Sequence, residues 1–269
     1  MHKLFLVILL IFSNLNGEKM NIIDTEKIAD VFAQFANIDN NTLVIFDVDS
    51  TLLVSTDKYL RRNTFKKFKY EYEQYTNKFT AEEKSLLLHL LVMESPSQLM
   101  EYDFIKLLNY IEKKRACTLA CTAARFHHIG TIFFPEFRFT ELKTLGIDFS
   151  KSYSGQRKFK TYPPIKQNEA GIDRGIVYTG HFFKKGFFVE EIISLIGFIP
   201  NKIIIIDDKK NNLESFYCNL QEKYPAIEFL GIHYRKIETF HDKKLTRKVF
   251  SSKIKTIVQK LKTLTRKQL

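Results

Sequence analysis

Ten residues limit the fold more than any other part of the chain: Leu43-Val44-Ile45-Phe46 runs straight into Asp47-Val48-Asp49-Ser50-Thr51-Leu52. Four apolar residues in a row, with no polar alternation, read as a strand buried on both faces, as in a parallel sheet covered by helices. A carboxylate where such a strand ends costs several kcal/mol to bury unless a cation or hydrogen bonds compensate. Two aspartates at i and i+2 therefore mark either a site that binds a metal or handles protons, or an ordinary loop start and helix cap. The rest of the chain decides between the two.

The pattern recurs. Apolar, β-rich runs fall at 43–47, 116–122, 175–179, 203–207 and 227–232, and helical periodicity occupies 135–146, 185–198 and 209–223. Strands alternating with helices imply an α/β fold with a doubly wound parallel sheet. Ligands of such sheets bind beyond the carboxyl ends of the strands. The interval 53–115 is too long for one crossover and reads as helical throughout. It holds a basic, aromatic segment at 58–79, a capping box formed by Thr80 and Glu83, and a further helix start at Ser95-Pro96-Gln98. An insert entering beside Asp49 is expected to cap the strand ends. A second insert, 150–174, with Tyr153, Arg157, Lys158 and Tyr162, reads as a loop or hairpin near the same mouth.

Composition sets the outer limits. The 269 residues are 45% hydrophobic with 25 Phe and 12 Tyr, ample for a packed core and contrary to disorder. The apolar run Leu4–Phe12 is too short to span a bilayer and fits a secretory signal peptide over 1–17, which places the protein in the periplasm or outside the cell; an uncleaved anchor and a buried first helix are the alternatives. Cys117, Cys121 and Cys218 do not form a disulfide framework or a zinc spacing. The net charge of +12 is concentrated in residues 235–269, with twelve Lys/Arg against Glu238 and Asp242. The expected organisation is a core of 18–52 and 116–233, a helical cap over 53–115, and a basic amphipathic tail over 234–269.

Four positions carry the chemistry. Thr122 ends the second run as Asp47 ends the first, and its hydroxyl can face a bound anion. Lys184-Lys185-Gly186 opens a helix, whose N-terminus favours anions. Ile203-Ile204-Ile205-Ile206 leads into Asp207-Asp208, with Asn212 one helical turn on. Paired carboxylates beyond a central strand supply the oxygen ligands that Mg²⁺ requires.

In that order, D-x-D-x-T, Thr, Lys-Gly and Asp-Asp, the chain resembles the haloacid dehalogenase-like (HAD) hydrolases over residues 42 to about 233. The strings TAAR, TGHFFKKG and IDDKKNN look most like a group of secreted bacterial HAD-like proteins. Receiver domains combine similar residues but in a different order. The resemblance implies an aspartyl-phosphate mechanism for a phosphate monoester. Asp47 is the implied nucleophile, Asp49 the acid and base, and Thr122 and Lys185 the phosphoryl holders, with Lys184 nearly as good a match as Lys185. It implies Mg²⁺ on Asp47, the backbone carbonyl of Asp49, and Asp207, with Asp208 assisting. The alternatives are a non-catalytic binding or effector protein on the same scaffold, or a tail that lies on a membrane surface or binds nucleic acid. The tail stripe of Leu245, Val249, Ile254, Ile257, Val258, Leu261 and Leu264 equally suits packing on the core. No base-stacking or groove-reading motif supports nucleic acid.

Overall fold

The computed structural model describes residues 20–160, 169–181, 183–240 and 244–266, so the segment read as a signal peptide, and Tyr162, lie outside the described residues. The chain begins with β1 (Ile22–Thr25), a 3-10 helix at Ile28–Phe35, β2 (Thr42–Phe46) and β3 (Leu53–Ser55). There follow α1 (Arg62–Lys67), α2 (Lys69–Thr76), α3 (Ala81–Met93), β4 (Ser97–Leu99), α4 (Asp103–Lys113) and β5 (Cys117–Thr122). A small hairpin of β6 (His128–Ile129) and β7 (Ile132–Phe133) precedes α5 (Phe134–Thr144), β8 (Gln156–Lys158), β9 (Gly171–Asp173) and β10 (Ile176–Tyr178). A 3-10 turn at Lys185–Phe188 leads to α6 (Val189–Ile196), β11 (Lys202–Asp207), α7 (Lys210–Lys223), β12 (Glu228–Tyr234) and α8 (Arg247–Arg266).

The architecture is α/β. Eight strands in the order β1-β12-β11-β2-β5-β10-β9-β8 form the main sheet. The first six are mutually parallel, and β9 and β8 continue antiparallel at one edge. Successive side chains along a strand point to opposite faces, and both faces here are apolar. Val44, Phe46, Ala120, Ile204 and Ile206 join one core cluster, with Phe104 and Leu107 of α4 and Phe134 of α5. Leu43, Ile45, Leu119, Ile203 and Ile205 join the other, with Ile192 of α6 and Phe216 of α7. Double-sided burial is why these strands read as unbroken apolar runs rather than alternating ones.

The interval 53–115 is not helical throughout. Leu53–Ser55 and Ser97–Leu99 pair antiparallel, and this hairpin stands where the sequence suggested a helix beginning at Ser95. Thr56 donates from both its backbone N–H and its hydroxyl to the Pro96 carbonyl, fixing Pro96 in the extended neck of the hairpin. The helix starts later, at Asp103, and α4 packs on β5 as a sheet-covering crossover helix. Between the hairpin strands, α1 to α3 form the layer above the strand ends. The expected capping box is present on α3: the Thr80 hydroxyl accepts from the Glu83 N–H at 3.1 Å, and the Glu83 carboxylate accepts from the Thr80 N–H at 2.8 Å.

The tail helix α8 packs on the cap helices α2 and α3 rather than on the sheet. Phe250, Ile254, Ile257, Val258 and Leu261 are buried there, while its lysines face water or pair with cap acids, as Lys260 does with Glu94. The second insert forms an antiparallel strand pair, the hairpin alternative of the reading, but not at the mouth. Its β8 and β9 widen the sheet sideways beyond β10, with Ile172 buried in the core. Arg174 and Gly175, both at positive φ, make the tight two-residue turn between β9 and β10.

Candidate functional site

The sheet reverses its winding beside β2: the chain moves outward through β5 and β10 on one side, then returns to β11 on the other. Ligand crevices form at such points. Asp47 leaves β2 there, its N–H donating to the Ile206 carbonyl at 2.8 Å, and Asp207 ends the adjacent β11. Carboxylate oxygens of Asp47, Asp207 and Asp208 lie within 4.8 Å of one another, and all three residues are buried. Three hard oxygen donors at that spacing suit a divalent cation such as Mg²⁺.

Between two of these acids lies the ammonium of Lys185. Its Nζ donates to Asp47 Oδ1 at 2.5 Å and to Asp207 Oδ2 at 2.7 Å, and the side chain is 3% exposed. Burial alone would push this ammonium down; the carboxylates of Asp207 and Asp47 more than reverse it, so the amine holds its proton above the ordinary lysine range. Burial pushes the Asp207 carboxyl up, opposed by Lys185. Lys184, by contrast, is exposed. Gly186 explains how Lys185 reaches so deep. A Cβ there would meet the Ser215 carbonyl oxygen at 2.2 Å, so only glycine lets the 3-10 turn close onto α7.

Each acid has further supports. Thr51 Oγ1 donates to Asp47 Oδ2 at 2.7 Å. The Asn212 amide donates to both oxygens of Asp207, at 2.9 and 3.0 Å, and the Lys209 N–H donates to one of them at 2.8 Å. Asp208 is ion-paired with Arg62 of α1, which ties the cap to the core.

The carboxylate of Asp49 stands apart from this cluster; only its backbone carbonyl was expected to contribute to a metal. Ser50, at φ 73°, turns the chain back through a left-handed residue that few L-amino acids adopt. Asp49 Oδ2 accepts from Thr122 Oγ1 at 3.3 Å, so the hydroxyl at the end of β5 does meet the D-x-D loop. Asp49 Oδ1 accepts from Arg138 Nη2 at 2.7 Å. Arg138 lies fully buried on α5, with Nη1 donating to Glu141 at 2.6 Å and its guanidinium 5.5 Å from the Phe134 ring centre. Burial would lower its pKa, and Asp49 and Glu141 outweigh that.

Sequence reasoning missed Arg138. The available signal was a basic residue at i+4 from Phe134 on an otherwise apolar helix face, with an acid three residues further on.

A cavity of about 400 Å³ opens above these groups, between strand ends and cap. Asp47, Asp49, Thr122, Lys185 and Asp208 line its floor, and Arg61, Arg62, His89 and His181 its sides. His89 rings both His127 and His181, at 4.8 and 5.4 Å. Burial, then the neighbouring Arg125, holds His127 and His181 down to about 4, so both are neutral at pH 7. No described residue of 150–174 lines the cavity. Phe65 and Tyr72 do, but they also meet edge to face at 5.2 Å, and Phe65 and Phe68 pack on Phe250 of α8 at 5.5 and 5.1 Å.

Comparison with known proteins adds family membership. The Uncharacterized protein RP296 of Rickettsia prowazekii (strain Madrid E) is 25% identical over 202 residues, covering 72% of this chain and 72% of that protein. No solved structure matches the chain. The family model "Protein of unknown function (DUF2608)" matches residues 24–267, from β1 through the tail helix. With cap, core and tail all inside that match, the chain belongs to the DUF2608 family.

Proposed function

We propose that the protein is a Mg²⁺-dependent phosphatase of the HAD type, hydrolysing a phosphate monoester through an aspartyl-phosphate. One observation carries the reading. Asp47, Lys185, Asp207 and Asp208 come from three separate stretches of chain, yet meet in one buried cluster beneath a cavity. Sequestering four ionised groups costs stability, and a structural role alone needs no cavity above them.

In this scheme Asp47, Asp207 and Asp208 would hold Mg²⁺, whose charge offsets that of the incoming phosphoryl dianion. Asp47 attacks phosphorus, forming an acyl phosphate as the P–O bond to the alcohol breaks. Thr51 and Lys185 each hold one Asp47 oxygen, so the carboxylate is oriented before substrate arrives. Asp49, entering the step protonated, gives that proton to the departing alkoxide and, as the carboxylate that Arg138 holds, then removes one from the water that cleaves the acyl phosphate. Arg138 fixes the Asp49 side chain for both steps, and the Thr122 hydroxyl, which donates to Asp49 in the free protein, turns to the phosphoryl group when substrate binds. Lys185, with the Thr122 hydroxyl, offers positive charge and a donor to the equatorial phosphoryl oxygens.

The test is turnover of p-nitrophenyl phosphate by the purified protein with and without Mg²⁺. The proposal expects metal-dependent release of nitrophenol that disappears in Asp47→Asn. Equal release by that variant would exclude Asp47 as nucleophile.

A further inference from the structure

The cavity floor is ionic and its roof is mainly apolar. Leu60, Phe65 and Tyr72 from the first half of the cap, and Leu88, Leu91 and Val92 from α3, line the side facing Asp47 and Lys185. Leu88 is 43% exposed although it lies on a helix whose other apolar residues are largely covered.

The polar groups on the cap side are mostly spent on one another. The Ser55 and Ser95 hydroxyls bond each other at 2.8 Å, and Ser95 also accepts from the Asp57 N–H at 3.2 Å. Arg61 Nε donates to the Ser55 carbonyl at 3.0 Å, and Arg62 is paired with Asp208. Both ring nitrogens of His89 are engaged, Nδ1 with the Ser85 carbonyl at 2.7 Å and Nε2 accepting from the Arg125 N–H at 3.0 Å.

A pocket that selects a sugar or glycerol moiety keeps donors and acceptors free for its hydroxyls, since unpaired buried polar groups are what reject the wrong ligand. Here the cap offers apolar area instead. Resting on the phosphatase reading, we infer that the alcohol portion of the substrate is an unsubstituted hydrocarbon, alkyl or aryl, lodged between Leu60, Phe65 and Tyr72 on one side and Leu88, Leu91 and Val92 on the other. The phosphate end faces Lys185 and Thr122. The cavity volume of about 400 Å³ accommodates a phosphate with a short chain or a single ring.

Alkylphosphonates test this without requiring turnover, because attack at phosphorus would have to expel a carbanion and the C–P bond stays intact. Calorimetric titration of the full chain in Mg²⁺ with ethyl-, butyl- and hexylphosphonate is expected to show affinity rising about fourfold per methylene, about 250-fold across the series. A dihydroxybutyl analogue should bind less tightly than butylphosphonate. The double variant Leu88→Asn, Val92→Asn, checked for an unchanged circular dichroism spectrum, should flatten the gradient. Hydrolysis of the matching alkyl phosphates and of glycerol phosphate is measured in parallel. An affinity gradient without hydrolysis sinks the phosphatase reading and keeps the hydrocarbon slot. Hydrolysis with no gradient, or tighter binding of the dihydroxy analogue, overturns the slot and keeps the phosphatase.

Discussion

Replacing Lys185 with methionine keeps most of the side-chain volume and removes the one cation among the described residues that touches both Asp47 and Asp207. The two carboxylates would then confront each other across at most 4.8 Å. At an effective dielectric of about 20 that repulsion is about 3.5 kcal/mol. The alternative is for Asp207 to take a proton, its carboxyl already being raised by burial. From an ordinary carboxylate pKa near 4, this costs about 4 kcal/mol at pH 7 and about 1.5 kcal/mol at pH 5. Lys185→Met should therefore lose about 3–4 kcal/mol of unfolding free energy at pH 7, within the range seen when one partner of a buried pair is removed. Relative to wild type, the loss should shrink by more than half at pH 5, and added Mg²⁺ should recover part of it at pH 7. Urea unfolding followed by circular dichroism measures all three, since urea leaves the charges unscreened. Lys184→Met is the control one residue away: exposed, it should change stability by less than about 0.5 kcal/mol. If the two variants lose the same amount, or the Lys185→Met loss is independent of pH, Lys185 is not the neutralising cation and the reasoning fails.

Two further outcomes follow from packing and titration. Gly186→Ala must push the 3-10 turn off the Ser215 carbonyl; it should destabilise the fold by about 1–3 kcal/mol in the same unfolding assay and weaken phosphonate binding by displacing Lys185. His127 is held neutral down to about pH 4 in the folded chain, whereas an unfolded histidine takes its proton near 6.5. The unfolded state thus binds the extra proton between these values, and stability present above pH 6.5 is lost as pH falls towards 4, by up to about 3 kcal/mol. His127→Phe should make that part of the stability–pH curve shallower than wild type when both are unfolded in urea from pH 7 to 4.

How much of this could be read from the residues varied with the range of the interaction. Leu43–Phe46 and Ile203–Ile206 announce doubly buried strands because every consecutive side chain is apolar, and a parallel sheet then fixes where Asp47 and Asp207 emerge. The expected positions of Thr122 and Asn212 also follow from strand ends and one helical turn. Pairings that join distant, weakly patterned segments left no such trace. Ser97-Gln98-Leu99 has no apolar alternation and becomes a strand only because Leu53–Ser55 lies beside it. Arg138 meets Asp49 only once α5 folds back under the D-x-D loop, so its burial announces a partner without naming one. The stripe on α8 likewise demanded a cover, and periodicity alone could not distinguish sheet from cap.

The seating of α8 against α2 and α3 has a consequence for the order of events during synthesis. Phe250 completes the aromatic packing of Phe65 and Phe68, so these cap side chains wait for a segment translated just after the last strand of the sheet. Domains generally organise from the N-terminus as they emerge from the ribosome. In this molecule floor and roof both wait for late segments: Asp207 must arrive to complete the charged cluster, and Phe250 to complete the cap above it.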